Sequence, residues 1–206
     1  MAKRIVVTGA SSGIGRAVAD RLLKDGDEVI GLSRSAPNFT DARFRHVPAD
    51  LADVDAIALL ARELGPVDGL VHAAGFMKTA RVGELDLASG EAMWRLHVAA
   101  AAALADALVP SLPTGGRIVL IGSRVSAGAA GRSQYAAAKA AMVAMARSWA
   151  IELAPRGHHG ERGLAGRHRN ADVARSAAQF QRARHAAHRP VCEDGGSRLA
   201  GRLPAR

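Results

Sequence analysis

Tyr135 and Lys139 stand four residues apart at the start of a helical stretch, so they share one face, one turn from each other. A phenol has a reference pKa of about 10 and moves protons poorly at neutral pH unless something stabilises its anion. A cation one turn away supplies that stabilisation. Ser123, closing the preceding strand-like run, offers a hydroxyl that can hydrogen-bond a carbonyl oxygen and polarise it. Together the three residues suit proton transfer to a carbonyl oxygen from Tyr135, coupled to hydride delivery from a second molecule.

Residues this far apart need a scaffold to bring them together. Short runs rich in Val and Ile predict strands at Arg4–Thr8, Glu28–Ser33, Phe44–Val47, Val67–His72 and Arg117–Gly122. Helical patterns fill the gaps near Gly13–Lys24, Val54–Leu64, Leu87–Leu108 and Tyr135–Leu153. Strand–helix alternation predicts an α/β fold with a parallel sheet, and the weak polar alternation within strands predicts burial on both faces.

The first strand runs into Thr8-Gly9-Ala10-Ser11-Ser12-Gly13-Ile14-Gly15. Glycines between a strand and a helix allow a tight turn and let a pyrophosphate approach the backbone amides. The helix start adds its positive end. Dinucleotide binding is therefore expected at Gly9, Ser11, Ser12, Gly13, Ile14 and Gly15. The second strand ends in Ser33-Arg34, where a carboxylate would favour NAD through its ribose hydroxyls; a base there suits the 2′-phosphate of NADP(H), so NAD(H) is the lesser expectation. Asp50-Leu51 and Ala73-Ala74-Gly75 are expected to complete the adenine and ribose walls.

In their order along residues 3–157, Thr8-Gly9-x-x-x-Gly13-x-Gly15, Asp50, His72-Ala73-Ala74-Gly75, Ser123 and Tyr135-x-x-x-Lys139 resemble the short-chain dehydrogenase/reductase family. The branch that includes 3-oxoacyl-acyl-carrier-protein reductases is the one they are similar to. The resemblance implies a Rossmann-type doubly wound sheet, Tyr135 as general acid/base and Ser123 positioning the substrate oxygen. It also implies that Lys139 binds the nicotinamide ribose and lowers the tyrosine pKa. The helices at 87–108 and 135–153 would form a face between copies in a homo-oligomer. His97 occupies the place of a family asparagine that holds a water in a proton relay, a role its imidazole could share or lack. His72 and Ala73 replace the usual asparagines of the fourth-strand motif, so the side-chain bonds bracing that loop are expected to be missing.

The chain has 206 residues, 49% hydrophobic but only 3% aromatic, which suits one globular domain. A single cysteine, Cys192, excludes an internal disulfide and a four-thiolate zinc site, and no metal site is read. The apolar stretch Ile5–Val7 passes directly into the glycine loop without a leader's apolar region, and Val98–Val109 is too short to span a bilayer. A cytoplasmic protein with no membrane partner is expected.

The character of the sequence changes at Gly157. Residues 1–157 hold 18 Lys/Arg against 15 acids, whereas residues 158–206 hold 10 Arg, no Lys, 4 acids and five of the eight histidines. Those 49 positions carry only six Val, Ile, Leu, Met or Phe, too few to offset ordering entropy, and a disordered basic tail is expected. Read one base later, degenerate codons for His158 through Val173 permit Ile-Thr-Val-Asn-Val-Val-Ser-Pro-Ala-Ala-Thr-Glu-Thr-Pro-Met. That resembles the family's sixth strand and cofactor loop, and a single-base frameshift near codon 158 is expected. The fold would then lack its last two strands, leaving the fifth strand's edge exposed and turnover weak. A non-catalytic dinucleotide-binding protein is the second reading. Nucleic-acid binding through the basic tail is the third.

Overall fold

The computed structural model describes residues 2–156 and 159–165. Six parallel strands form one sheet: β1 (Arg4–Thr8), β2 (Glu28–Ser33), β3 (Phe44–Pro48), β4 (Gly69–His72), β5 (Arg117–Ser123) and β6 (His159–Ala165). Their order across the sheet is β3-β2-β1-β4-β5-β6. Ile5 lies opposite both Val29 and Gly69, which sets the register of the three central strands.

Because β2 and β3 lie to one side of β1 and β4 to the other, a crevice opens beyond the carboxyl ends of β1 and β4. This is the switch point at which open α/β sheets bind ligands. Central strands buried on both faces explain the unbroken apolar runs in the sequence. On one face, helix α1 (Gly13–Lys24) packs Val18, Leu22 and Leu23 against Ile5, Val7, Val29 and Val119. On the other face lie α2 (Val54–Glu63), α4 (Ala100–Leu108) and α5 (Ser133–Leu153), whose core includes Val6, Ile57, Leu70, Leu104, Leu120 and Met142. Asp53 starts α2 by accepting a hydrogen bond from the Ala56 amide at 3.0 Å.

The sequence predicts one helix over Leu87–Leu108. The chain instead runs as α3 (Leu87–Trp94), a π-turn at Arg95–Ala99, and then α4. With a short 3-10 turn to Ser111, this segment is long and apolar enough, by length and composition, to cross a bilayer. Its residues Ala100, Ala101, Leu104, Ala105 and Leu108 are buried against the sheet, as befits a core helix.

The expected loss of the sixth strand is corrected. His159–Ala165 pairs in parallel with β5, from Arg117 opposite His159 to Ser123 opposite Ala165. A ladder is built from backbone N–H and C=O groups, which an unusual side-chain composition does not remove. The buried strand β5 would otherwise present a row of unpaired groups. The expected loss of the seventh strand and the disordered tail concern positions outside the described residues.

Leu104 is fully buried where α4 meets the sheet, so Leu104→Ala should cost about 3 kcal/mol in urea unfolding. Leu59→Ala on exposed α2 surface should cost less than about 1 kcal/mol.

Candidate active site

Ser123 closes β5, Tyr135 and Lys139 occupy the first two turns of α5, and His97 sits in the π-turn. All four line one cavity of about 440 Å³ at the carboxyl end of the sheet. Ile14, Ala73 and Gly75 line it from the dinucleotide side, so residues up to 125 positions apart in sequence meet at one site. Phe76, Met77, Val125, Arg124 and Arg132 line it as well. Sequence reasoning passed over these last two, although their positions beside Ser123 and three residues before Tyr135 carried the signal.

The Ser123 hydroxyl accepts from the Val125 amide at 3.3 Å. Burial raises the tyrosine pKa above its usual value, while the Ser123 hydroxyl and the positive charge of Arg132 pull it down. Lys139 is only 5% exposed. Its Nζ donates to the Ile121 carbonyl at 2.8 Å and lies 5.8 Å from the centre of the tyrosine ring. Burial pushes its own pKa down to about 8. The expected lowering of the tyrosine pKa by Lys139 is therefore not what this arrangement shows. Burial prevails on the phenol, and the groups that oppose it are Ser123 and Arg132.

His97 is buried, with its ring edge-on to Tyr135 at 5.5 Å between centroids. A carbonyl only accepts, so Nε2–H donates to the Phe76 carbonyl at 2.8 Å and Nδ1 is left as an acceptor. Among the described residues that Nδ1 has no hydrogen-bond partner. A Cβ on Gly75 would come within 2.0 Å of this ring, so only glycine fits beside it.

The bracing expected to be missing at the fourth-strand motif is present by another route. His72 is completely buried; its Nε2–H donates to the Leu96 carbonyl at 3.1 Å, and its Nδ1 meets the Thr8 hydroxyl at 3.1 Å. The same hydroxyl accepts from the Ala73 and Ala74 amides, each at 3.0 Å. One imidazole and one threonine thus hold the loop that asparagines would otherwise hold.

The glycine turn fits a dinucleotide on its own geometry. Gly9 and Gly13 have φ of +68° and +55°, a left-handed conformation natural only to glycine. A Cβ at Gly13 would meet nothing within 4 Å, which marks open space beside the turn. A Cβ at Gly15 would fall 2.3 Å from the Gly9 carbonyl oxygen, so glycine alone lets α1 pack this close. Ser12 makes no side-chain cap to α1, which leaves the first-turn amides available to an anion, and Ser11 lies in the same turn.

At the adenine end the predicted residues divide. Arg34 is exposed and forms no ion pair among the described residues. The Ser33 hydroxyl is buried and donates to the Ser35 carbonyl at 2.9 Å, so it shapes the loop. Asp50 is exposed and accepts from the Ala52 amide at 3.0 Å, whereas Leu51 packs in the core. Ala74 is buried at the loop's base.

Residues 3–157 match the family described as short chain dehydrogenase. The chain belongs to that family. It is similar to L-xylo-3-hexulose reductase from Hypocrea jecorina, with 33% identity over 191 residues, covering 75% of this chain and 63% of that protein. It is also similar to a 3-oxoacyl-acyl-carrier-protein reductase from Salmonella typhimurium, with 33% identity over 168 residues, covering 75% of this chain and 69% of that one. The chain thus spans about two thirds of these relatives' length. Among solved structures, a blue fluorescent protein from a metagenomic library, in complex with NADPH, superposes with a TM-score of 0.72. The identity is 35%, and the match covers 78% of this chain and 72% of that one.

Burial holds both site histidines neutral, lowering His72 to about 3 and His97 to about 4. The charge of Lys139 adds to the effect on both. Unfolded histidines bind protons at about pH 6.5, so below that pH the unfolded chain takes up protons the folded one refuses. Stability should be full above about pH 6.5 and fall by about 1.4 kcal/mol per pH unit for each ring as pH drops toward 4. Urea unfolding across that range should show the slope, and His72→Asn should remove roughly half of it.

Proposed function

We propose that this protein is an NADP(H)-dependent oxidoreductase interconverting a carbonyl and a secondary alcohol. The observation that carries the reading is the single cavity shared by Ser123, Tyr135 and Lys139 with the dinucleotide turn's Ile14 and the loop at Gly75. The NADPH bound in the similar metagenomic protein supports the choice of cofactor, as does the exposed base Arg34 where a carboxylate would favour NAD.

The residues divide the work. Gly9, Gly13 and Gly15 with the first-turn amides of α1 would hold the pyrophosphate, and Arg34 the 2′-phosphate. Ala73 and Gly75 would wall the nicotinamide side. When bound, the cofactor supplies the hydride. Ser123 donates a hydrogen bond to the substrate oxygen, and the Tyr135 phenol delivers a proton to it or, in the reverse direction, removes one. Lys139, held by the Ile121 carbonyl, would bind the nicotinamide ribose. The unpartnered Nδ1 of His97 suits a water donor, and such a water would continue the proton path.

The same reading joins copies of the chain across residues 87–108 and 135–153. Trp94 and Ile151, 49% and 76% exposed, support it. A non-catalytic dinucleotide binder remains the second reading, favoured by the replacement of the relay asparagine by His97.

Tyr135→Phe should reduce NADPH-linked ketone turnover by about 1,000-fold while NADPH fluorescence still reports binding. Undiminished turnover would remove Tyr135 from its role. NADPH binding without consumption by the unaltered protein, across a ketone panel, would establish the second reading. Arg34→Ser should weaken NADPH binding by about 30-fold and leave NADH binding nearly unchanged.

A further inference from the structure

The cavity beside Tyr135 is cationic for a reason the proton chemistry does not supply. Its lining includes Arg124 and Arg132 and no aspartate or glutamate among the described residues. Among the described residues neither guanidinium forms an ion pair. Arg132 is half-buried at the cap position of α5, and its charge reaches the Tyr135 phenol. Two residues after Arg132, Gln134 donates to the backbone carbonyl of Asp86 at 3.0 Å. The Asp86 carboxylate is held by the Ser89 hydroxyl at 2.6 Å and the Ser89 amide at 3.2 Å. Among the described residues no acid lines the cavity beside these two arginines, which leaves them poised for an external anion.

Cofactor phosphates belong elsewhere in the sheet. The glycine turn follows β1 and Arg34 follows β2, whereas Arg124 follows β5, two strand positions beyond β1 and on the Tyr135 side. Phe76, Met77 and Val125 line the same cavity and would suit a short apolar stem between the reacting carbon and the charge. Guanidinium forks match the paired oxygens of carboxylate and phosphate groups.

We propose that the substrate carries an oxyanion, a carboxylate or a phosphoryl group, a few bonds from its reacting carbonyl, and that Arg124 and Arg132 select it. The inference rests on the carbonyl-reductase reading, since Tyr135 marks where the carbonyl lies.

Two matched pairs test it by calorimetry on the protein saturated with NADP+, where no turnover is needed: levulinate against its methyl ester, and dihydroxyacetone phosphate against dihydroxyacetone. At least one anion should bind about 30-fold more tightly than its neutral partner, and which one does identifies the group. The double variant Arg124→Gln, Arg132→Gln should bring that ratio to about 1, while Arg62→Gln on the remote helix α2 should preserve it. Equal affinities within both pairs overturn the proposal, as does a ratio indifferent to the double variant. An equal loss of NADP+ affinity in the double variant also overturns it, by assigning the arginines to the cofactor. NADPH consumption with the neutral ketones reads the reductase assignment separately, so that assignment can stand when this one falls.

Discussion

The hydroxyl of Thr8 ties together the parts on which the site depends. It stands at the end of β1, accepts from two amides of the loop after β4, and meets the buried ring of His72. His72 in turn donates to Leu96, inside the π-turn that carries His97. A short chain of hydrogen bonds therefore fixes the separation of the two strands at the switch point, the loop after β4 and the helix segment behind it. In a completely buried location each of these bonds is expensive to lose, because the group left behind finds no water. The network is thus rigid where a ligand needs a fixed shape.

Electrostatics at the site runs against burial throughout. Tyr135, Lys139, His72 and His97 each sit where desolvation disfavours the charged form. The result is a phenol that keeps its proton and an amine whose affinity is brought closer to neutrality, with two rings kept uncharged between them. Desolvation thus spreads the proton affinities at the site apart, the phenol upward and the amine and both rings downward.

Much of this was legible in the sequence because it was local. The five strands from Arg4 to Ser123 were marked by short β-rich runs, and the glycine turn by residues with one conformational use. The spacing of Tyr135 and Lys139 placed them on one helix face without any tertiary knowledge. What escaped was set by distant partners. The π-turn at Arg95–Ala99 has no composition of its own, and the bracing by His72 depends on Thr8, 64 positions earlier. Nor does the sequence show that the Ser33 hydroxyl donates to the Ser35 carbonyl or that Leu51 packs in the core. Strand β6 escaped because a backbone ladder asks little of its side chains, and hydrophobic pattern was the signal being read.

The interlock of Gly75 with His97 constrains how the chain could change over time. With the imidazole in place, any side chain at position 75 collides with it, so that position is closed to all nineteen alternatives. A smaller residue at 97 would first have to vacate the space before 75 could accept even a methyl group. The order of substitution is therefore enforced by volume alone, and the two sites must drift as a pair, in one direction of travel, rather than as independent characters.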